Sequence, residues 1–274
     1  METQGENMIK FDYHTHSNHS TDGMASMGEM IETAIKLGLE EYAITDHLDF
    51  SWPEKEIIST YGIAANVKAM QAAKAKYAGR IKVLIGVELS LRPDVADEAR
   101  ELANEYDFDI IIGSGHDIKG VDFYLPELYR NHTKHQAHTM YFENLLDVVT
   151  TCDAYDVVGH LDYVERYGKY PDKTLHYTDF RETIDEILKT IIAKGKGIEI
   201  NTSGYAYGLG HAHPQTDILR KYLQLGGEII TVGSDAHRPG NIAQHFGDAH
   251  KILQSLGVKY ITRFDKRKPS FVKI

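Results

Sequence analysis

The sequence predicts an α/β protein, a parallel β/α barrel with its chemistry at the C-terminal ends of the strands, and three observations predict it. Short apolar runs rich in β-branched and aromatic residues alternate with stretches of helical periodicity, the pattern of a parallel sheet covered by helices. The length, 274 residues, suits one barrel of roughly 250 residues, so residues 1–274 read as a single domain. Six of the apolar runs are followed closely by histidine or acidic residues, the position where such barrels carry their functional groups.

In chain order the strands are expected at residues 9–13, 42–44, 83–87, 110–112, 157–158, 197–201 and 229–232, with an eighth candidate at 259–262. Between them lie helical patterns. Ser26 and Glu29 form a capping box before Met30, Ile31, Ala34, Ile35 and Leu37, and Gly38 closes that helix. Further helices are expected over 66–77, 94–106, 137–152, 179–193, 215–225 and 241–256. The connections 116–136 and 161–177 are longer than a barrel needs and rich in tyrosine, arginine and histidine, which marks them as lids or binding loops.

Thirty Lys and Arg residues against forty Asp and Glu give a formal charge of −10. That balance argues against a nucleic-acid or anionic-membrane surface and for a small-molecule partner. Cys152 is the only cysteine, so an intrachain disulfide is excluded. Residues 1–10 are polar and lack a signal-peptide core, and no apolar stretch approaches the roughly 20 residues of a membrane span. A cytoplasmic location is expected.

His14 and His16 stand two apart just past a strand, so both can grip one ion, and Asp235 and His237 repeat the spacing. His47, Glu88, His116 and His160 follow other strands, and the whole set reads as a metal site. Asp46 and His47 are adjacent and face opposite ways in a regular strand. His47 is expected to reach the metals, with Asp46 orienting a ligand imidazole from behind. Nine histidines, His19, His132, His135, His138, His176, His211, His213, His245 and His250, fall outside the pattern; His211 and His213 lie in a glycine-rich loop and receive no metal role.

The ordered motifs His14-Thr15-His16, Ser20-Thr21-Asp22-Gly23, Thr45-Asp46-His47, Gly86-Val87-Glu88, Gly113-Ser114-Gly115-His116, Gly159-His160 and Gly233-Ser234-Asp235-Ala236-His237 resemble the polymerase and histidinol phosphatase (PHP) family. The resemblance implies a distorted seven-stranded, TIM-like (β/α) barrel with a trinuclear metal centre. It implies that His14, His16, Glu88 and Asp235 hold one ion, Glu88, His116 and His160 a second, and Asp22, His47 and His237 a third. Three divalent ions, zinc, manganese or iron, suit such imidazole-rich, carboxylate-bridged ligands. Their charge exceeds that of the three carboxylates and suits a phosphate monoester dianion.

Residues 159–167 resemble the histidinol-phosphatase branch, which implies that Arg166 contacts phosphate through its planar fork. Asn201 and Ser203, after the sixth strand, share a face and are candidate substrate contacts, and Arg238 is a candidate second phosphate contact. Tyr124, Tyr129, Tyr163, Tyr167, Tyr205 and Tyr207 would suit packing on an imidazole ring. The resemblance implies direct hydrolysis of L-histidinol phosphate, and the leaving alkoxide needs a metal or a proton donor, for which Asp235 and His237 are the nearest sources. Another small phosphate ester, a nucleotide, or a non-catalytic metal-binding role are the alternatives. An amidohydrolase-type barrel is disfavoured, because Glu88 holds the bridging position and Lys82 lies at the wrong end of its strand.

Overall fold

The computed structural model describes residues 9–274; residues 1–8, most of the polar N-terminal stretch, lie outside the described residues. Seven parallel strands follow one another in the sheet as they do in the chain: Phe11–Asp12, Glu41–Ile44, Lys82–Ser90, Ile110–Ser114, Val157–Val158, Gly197–Asn201 and Ile230–Gly233. Phe11 pairs with Glu41, Glu41 with Lys82, Gly86 with Ile110, Val157 with both Ile112 and Gly197, and Ile198 with Ile230. Last strand meets first through hydrogen bonds from Tyr13 N–H to Val232 O (3.1 Å) and from Asp235 N–H to His14 O (2.8 Å). The result is a nearly closed TIM-like barrel, buried on both faces of its strands, which is why the strands read as continuous apolar runs.

Helices Met27–Lys36, Ile63–Lys76, Ala96–Glu105, Lys134–Thr151, Arg181–Ala193, Thr216–Gln224 and Phe246–Ser255 complete the βα alternation. The first has its expected capping box, with Ser26 N–H donating to Glu29 Oε2 (2.9 Å) and Glu29 N–H to Ser26 Oγ (3.3 Å), and Gly38 takes a positive φ of 77° just beyond it. Three helix starts lie three or more residues from expectation: the helix expected from 66 begins at Ile63, and two others move for local reasons. The helix expected from 137 begins at Lys134 because Thr133 and Gln136 form a second capping box. The helix expected from 241 begins at Phe246 because a 3-10 turn, Pro239–Asn241, and the left-handed His245 (φ 56°) delay it. Among the described residues no helix is long and apolar enough to cross a membrane.

The eighth candidate strand does not join the barrel. Tyr260–Asp265 pairs antiparallel with Lys268–Lys273 across Lys266 (φ 48°) and Arg267 (φ 62°). A two-residue turn with both φ positive reverses the chain at once, so the strand finds its partner in the residues that follow. This hairpin lies across the N-terminal end of the barrel. Lys266 N–H donates to Asp109 Oδ1 (3.3 Å), Arg267 Nε to Asp156 Oδ1 (3.1 Å) and Phe264 N–H to the Tyr13 hydroxyl (3.1 Å), and Arg263 pairs with the buried Glu41.

The long connections lie over the other end. One holds the antiparallel pair Asp117–Ile118 and Val121–Asp122 and a short helix, Glu127–Arg130; the other holds the 3-10 turn Tyr163–Arg166. Together they wall a cavity at the C-terminal mouth.

Candidate metal centre

Strand ends deliver the predicted ligands to one place. Glu88 lies within Lys82–Ser90, and His47 opens the strand His47–Phe50 directly opposite it in parallel register. His14 and His16 follow the first barrel strand, His116 the fourth, His160 the fifth, and Asp235 and His237 the last. Asp22 reaches in from the loop before the first helix, 3.0 Å from His237 Nε2 and 3.7 Å from His47 Nε2.

Glu88 is the pivot. Its Oε1 lies 2.9 Å from His160 Nε2 and 3.2 Å from His116 Nε2 and accepts a hydrogen bond from Ser114 Oγ (2.7 Å). Its Oε2 lies 2.9 Å from His47 Nδ1, 3.2 Å from His14 Nε2 and 3.5 Å from His16 Nε2. Each carboxylate oxygen thus faces a different set of imidazoles. Burial alone would raise this carboxyl's pKa, but His14, His116 and His47 hold it well below the usual range.

The imidazoles are oriented from behind. His14 Nδ1–H donates to Glu199 Oε1 (2.7 Å), His16 Nδ1–H to Ser20 Oγ (3.0 Å) and His237 Nδ1–H to its neighbour's carbonyl, Asp235 O (2.9 Å). Each bond fixes the tautomer and leaves Nε2 as a lone pair turned into the site. Those three Nε2 atoms and Glu88 Oε2 are buried and, among the described residues, make no contact with hydrogen-bond geometry despite their close neighbours. Unpaired buried acceptors of this kind are costly unless an ion takes them up. Ligand atoms lie within 4.8 Å of one another in three overlapping groups, His14–His16–Glu88, His47–Glu88–His116 and His16–His47–His237. The donor set therefore fits divalent metal ions.

Asp235 occupies a left-handed backbone conformation, φ 55°, which costs a non-glycine residue about 1–3 kcal/mol and is concentrated at functional sites. Its Oδ1 lies 3.4 Å from His16 Nε2 and 3.7 Å from His14 Nε2. Its Oδ2 accepts from Arg166 Nη2 (3.2 Å), Ser203 Oγ (3.1 Å) and Asn201 Nδ2 (3.3 Å).

Asp46 lies between the strands Glu41–Ile44 and His47–Phe50 and is turned away from the cluster of ligand atoms. It touches no ligand imidazole directly: it accepts from Ser17 N–H (2.6 Å), Ser17 Oγ (2.9 Å) and Ser20 Oγ (3.1 Å), and acts on His16 through Ser20. Two residues were missed by the sequence reading. Glu199 holds His14 and also accepts from His160 N–H (3.1 Å). His213 is fully buried rather than in an open loop; it exchanges backbone hydrogen bonds with Asn201 (2.7 and 2.8 Å) and its Nε2 accepts from Arg166 Nε (3.0 Å).

The cavity above this centre measures about 470 Å³, and Asp49, Asp122, Tyr124, Tyr163, Arg166, Tyr167 and Tyr207 line it with the metal-facing residues. Arg166 lies between the rings of Tyr163 (4.9 Å) and Tyr207 (4.4 Å). Asn201 and Ser203 are buried beside Asp235, and Ser203 Oγ accepts from Arg166 Nη2 (2.6 Å). Arg238 is exposed, donates from Nε to Asn241 Oδ1 (2.9 Å), and lines an adjoining hollow of about 310 Å³ instead. Tyr129 donates to Phe123 O and Tyr205 stacks on His245, so neither lines the main cavity.

A barrel whose C-terminal mouth gathers six imidazoles and three carboxylates in this way belongs to the class of metal-binding β/α-barrel proteins. The family described as the PHP domain matches residues 12–203. The chain belongs to the PHP family. It is 31% identical over 274 residues to a histidinol-phosphatase of Lactococcus lactis subsp. lactis, covering 96% of this chain and 99% of the relative. It is also 31% identical over 258 residues to a probable histidinol-phosphatase of Clostridium acetobutylicum, covering 94% and 97%. Among solved structures it resembles the Lactococcus lactis histidinol phosphate phosphatase complexed with zinc, L-histidinol and phosphate, with a TM-score of 0.88, 30% identity, and coverage of 96% of this chain and 100% of that one.

Proposed function

We propose that this protein is a metal-dependent phosphomonoesterase that hydrolyses L-histidinol phosphate to L-histidinol and orthophosphate, a step of histidine biosynthesis. The observation that carries this reading is the near-full-length likeness to a phosphatase structure holding zinc, L-histidinol and phosphate. In this reading three divalent ions are held: one by His14, His16, Glu88 and Asp235, a second by Glu88, His116 and His160, a third by Asp22, His47 and His237. The outward division of the Glu88 oxygens supports its bridging role. When bound, such ions supply Lewis acidity toward the phosphoryl oxygens and toward attacking water.

The chain's own residues orient and bind. Arg166 spends Nε and Nη2 on the protein, and Nη1, without a hydrogen bond among the described residues, is free to hold a phosphoryl oxygen at the cavity wall. Asn201 and Ser203 support Arg166 and Asp235 from beneath, and Arg238 on the adjoining rim offers a second cation to the phosphate. Asp235, held as a carboxylate by the donors Arg166, Ser203 and Asn201, has no proton to give, which leaves His237 as the candidate to protonate the leaving alkoxide. The tyrosine-lined wall suits the imidazole of the substrate.

A phosphate-release assay over a panel of monoesters tests this. Histidinol phosphate is expected to exceed p-nitrophenyl phosphate in kcat/KM; equality would remove the substrate assignment and leave the phosphatase. Arg166→Ala is expected to lower kcat/KM about 10- to 150-fold, the equivalent of a charge-assisted contact of roughly 1.5–3 kcal/mol. An unchanged value would show that the arginine does not touch phosphate.

A further inference from the structure

Beneath Arg166 lies a buried pair that no metal reading absorbs. A guanidinium only donates, so the contact from Arg166 Nε to His213 Nε2 (3.0 Å) requires that nitrogen to be the acceptor and the ring proton to sit on Nδ1. His213 Nδ1–H then donates to Asp162, whose second oxygen accepts from Gln215 N–H (2.8 Å). His213 and Asp162 are both fully buried, and the His213 backbone is tied to the sixth barrel strand through Asn201. We propose that Asp162 and His213 are positioning residues that set the tautomer facing Arg166 and so hold its fork ready for a phosphoryl group.

The inference rests on the reading of Arg166 as the phosphate contact. Arg166 Nη2 already donates to Asp235 Oδ2 (3.2 Å), and without a fixed acceptor at Nε the guanidinium would be free to turn in its own plane and spend a further N–H on that carboxylate. With Nε held by His213 and Nη2 by Ser203, its plane is set from two sides and Nη1 is left over. Preorganisation of this kind spares reorganisation when charge arrives.

Asp162→Asn tests it with little change of volume. The amide can donate to His213 Nδ1 and drive the proton to Nε2, where it opposes the Arg166 N–H. Competitive inhibition by inorganic phosphate is the readout, beside KM and kcat. In Asp162→Asn the phosphate Ki and the substrate KM are expected to rise together by about 10- to 100-fold, the range for partners that orient a ligand, at unchanged metal content. Adding Arg166→Ala to Asp162→Asn is expected to cost no more than Arg166→Ala alone, because one acts through the other. His213→Gln, whose amide oxygen can accept from Nε, should stay within a few-fold of wild type, whereas His213→Phe should match Asp162→Asn; these two keep the test open if Asp162→Asn does not fold. A phosphate Ki unmoved by the Asp162 and His213 variants but raised by Arg166→Ala overturns the positioning role alone. A Ki unmoved by Arg166→Ala overturns the phosphate clamp and this inference with it. Fully multiplicative losses in the double variant overturn it as well.

Discussion

At the scale of single residues, Glu88 concentrates the most consequence in the fewest atoms, because its two oxygens face separate imidazole sets. Glu88→Gln keeps the volume and removes the charge. Turnover is expected to fall more than about 100-fold, beyond what outer-shell changes cost, while the melting temperature of chelator-treated protein moves little. Near wild-type turnover at full metal loading would contradict the bridge. Elemental analysis belongs with it: wild type is expected to carry more than two equivalents, and saturation at one under excess metal would sink the three-ion assignment. Cys152 makes a simpler case. Burial pushes its thiol up to about 12, so the folded protein should leave a thiol reagent unreacted at neutral pH and denatured protein should consume one equivalent.

At the scale of elements, the last barrel strand ends in a glycine for a steric reason. A Cβ on Gly233 would stand 2.2 Å from Glu199 Oε1 and 2.4 Å from the His14 Cβ, both held inside the packed barrel. Gly233→Ala should therefore part His14 from Glu199, lowering metal content along with stability by about 1–3 kcal/mol. Gly240→Ala, with no atom near its Cβ, should behave as wild type in both measurements. The same elements explain what was legible in the sequence. Strand positions and the ligands after them were readable because an apolar run and the residue beyond it are adjacent in the chain. Glu199 was not, since its partner His14 is 185 residues away and a lone acid in an apolar run carries no local signal. His213 was hidden by the glycines around it, and its role appears only when the fold brings Asp162 and Arg166 to its two ring nitrogens. The hairpin strand Tyr260–Asp265 looked like a barrel strand because the alternation of apolar residues does not say which edge a strand will find. The capping box at Thr133 and Gln136 is local in the sequence and sets the helix start at Lys134.

At the scale of the whole molecule, the two ends of the barrel carry different burdens. The N-terminal end buries Glu41, Asp109 and Asp156 and answers them with the side chains of Arg263, Lys74 and Arg267 and the backbone N–H of Lys266, most of them from the C-terminal hairpin. Arg267→Ala would leave Asp156 with, among the described residues, only the Ile111 N–H donor (2.9 Å) and is expected to cost about 3 kcal/mol, seen as a lower melting temperature with kcat unchanged. A matching loss of kcat would mean that the two ends are coupled. The closure described above, Tyr13 to Val232 and His14 to Asp235, also orders events in time. A nascent chain emerges from the ribosome N-terminus first, and His14 and His16 must wait for more than two hundred further residues before Asp235 arrives beside them. Contacts so distant in sequence close late in folding. The centre therefore cannot be completed until Asp235 has left the ribosome, and any ion met before then finds only part of its ligand set.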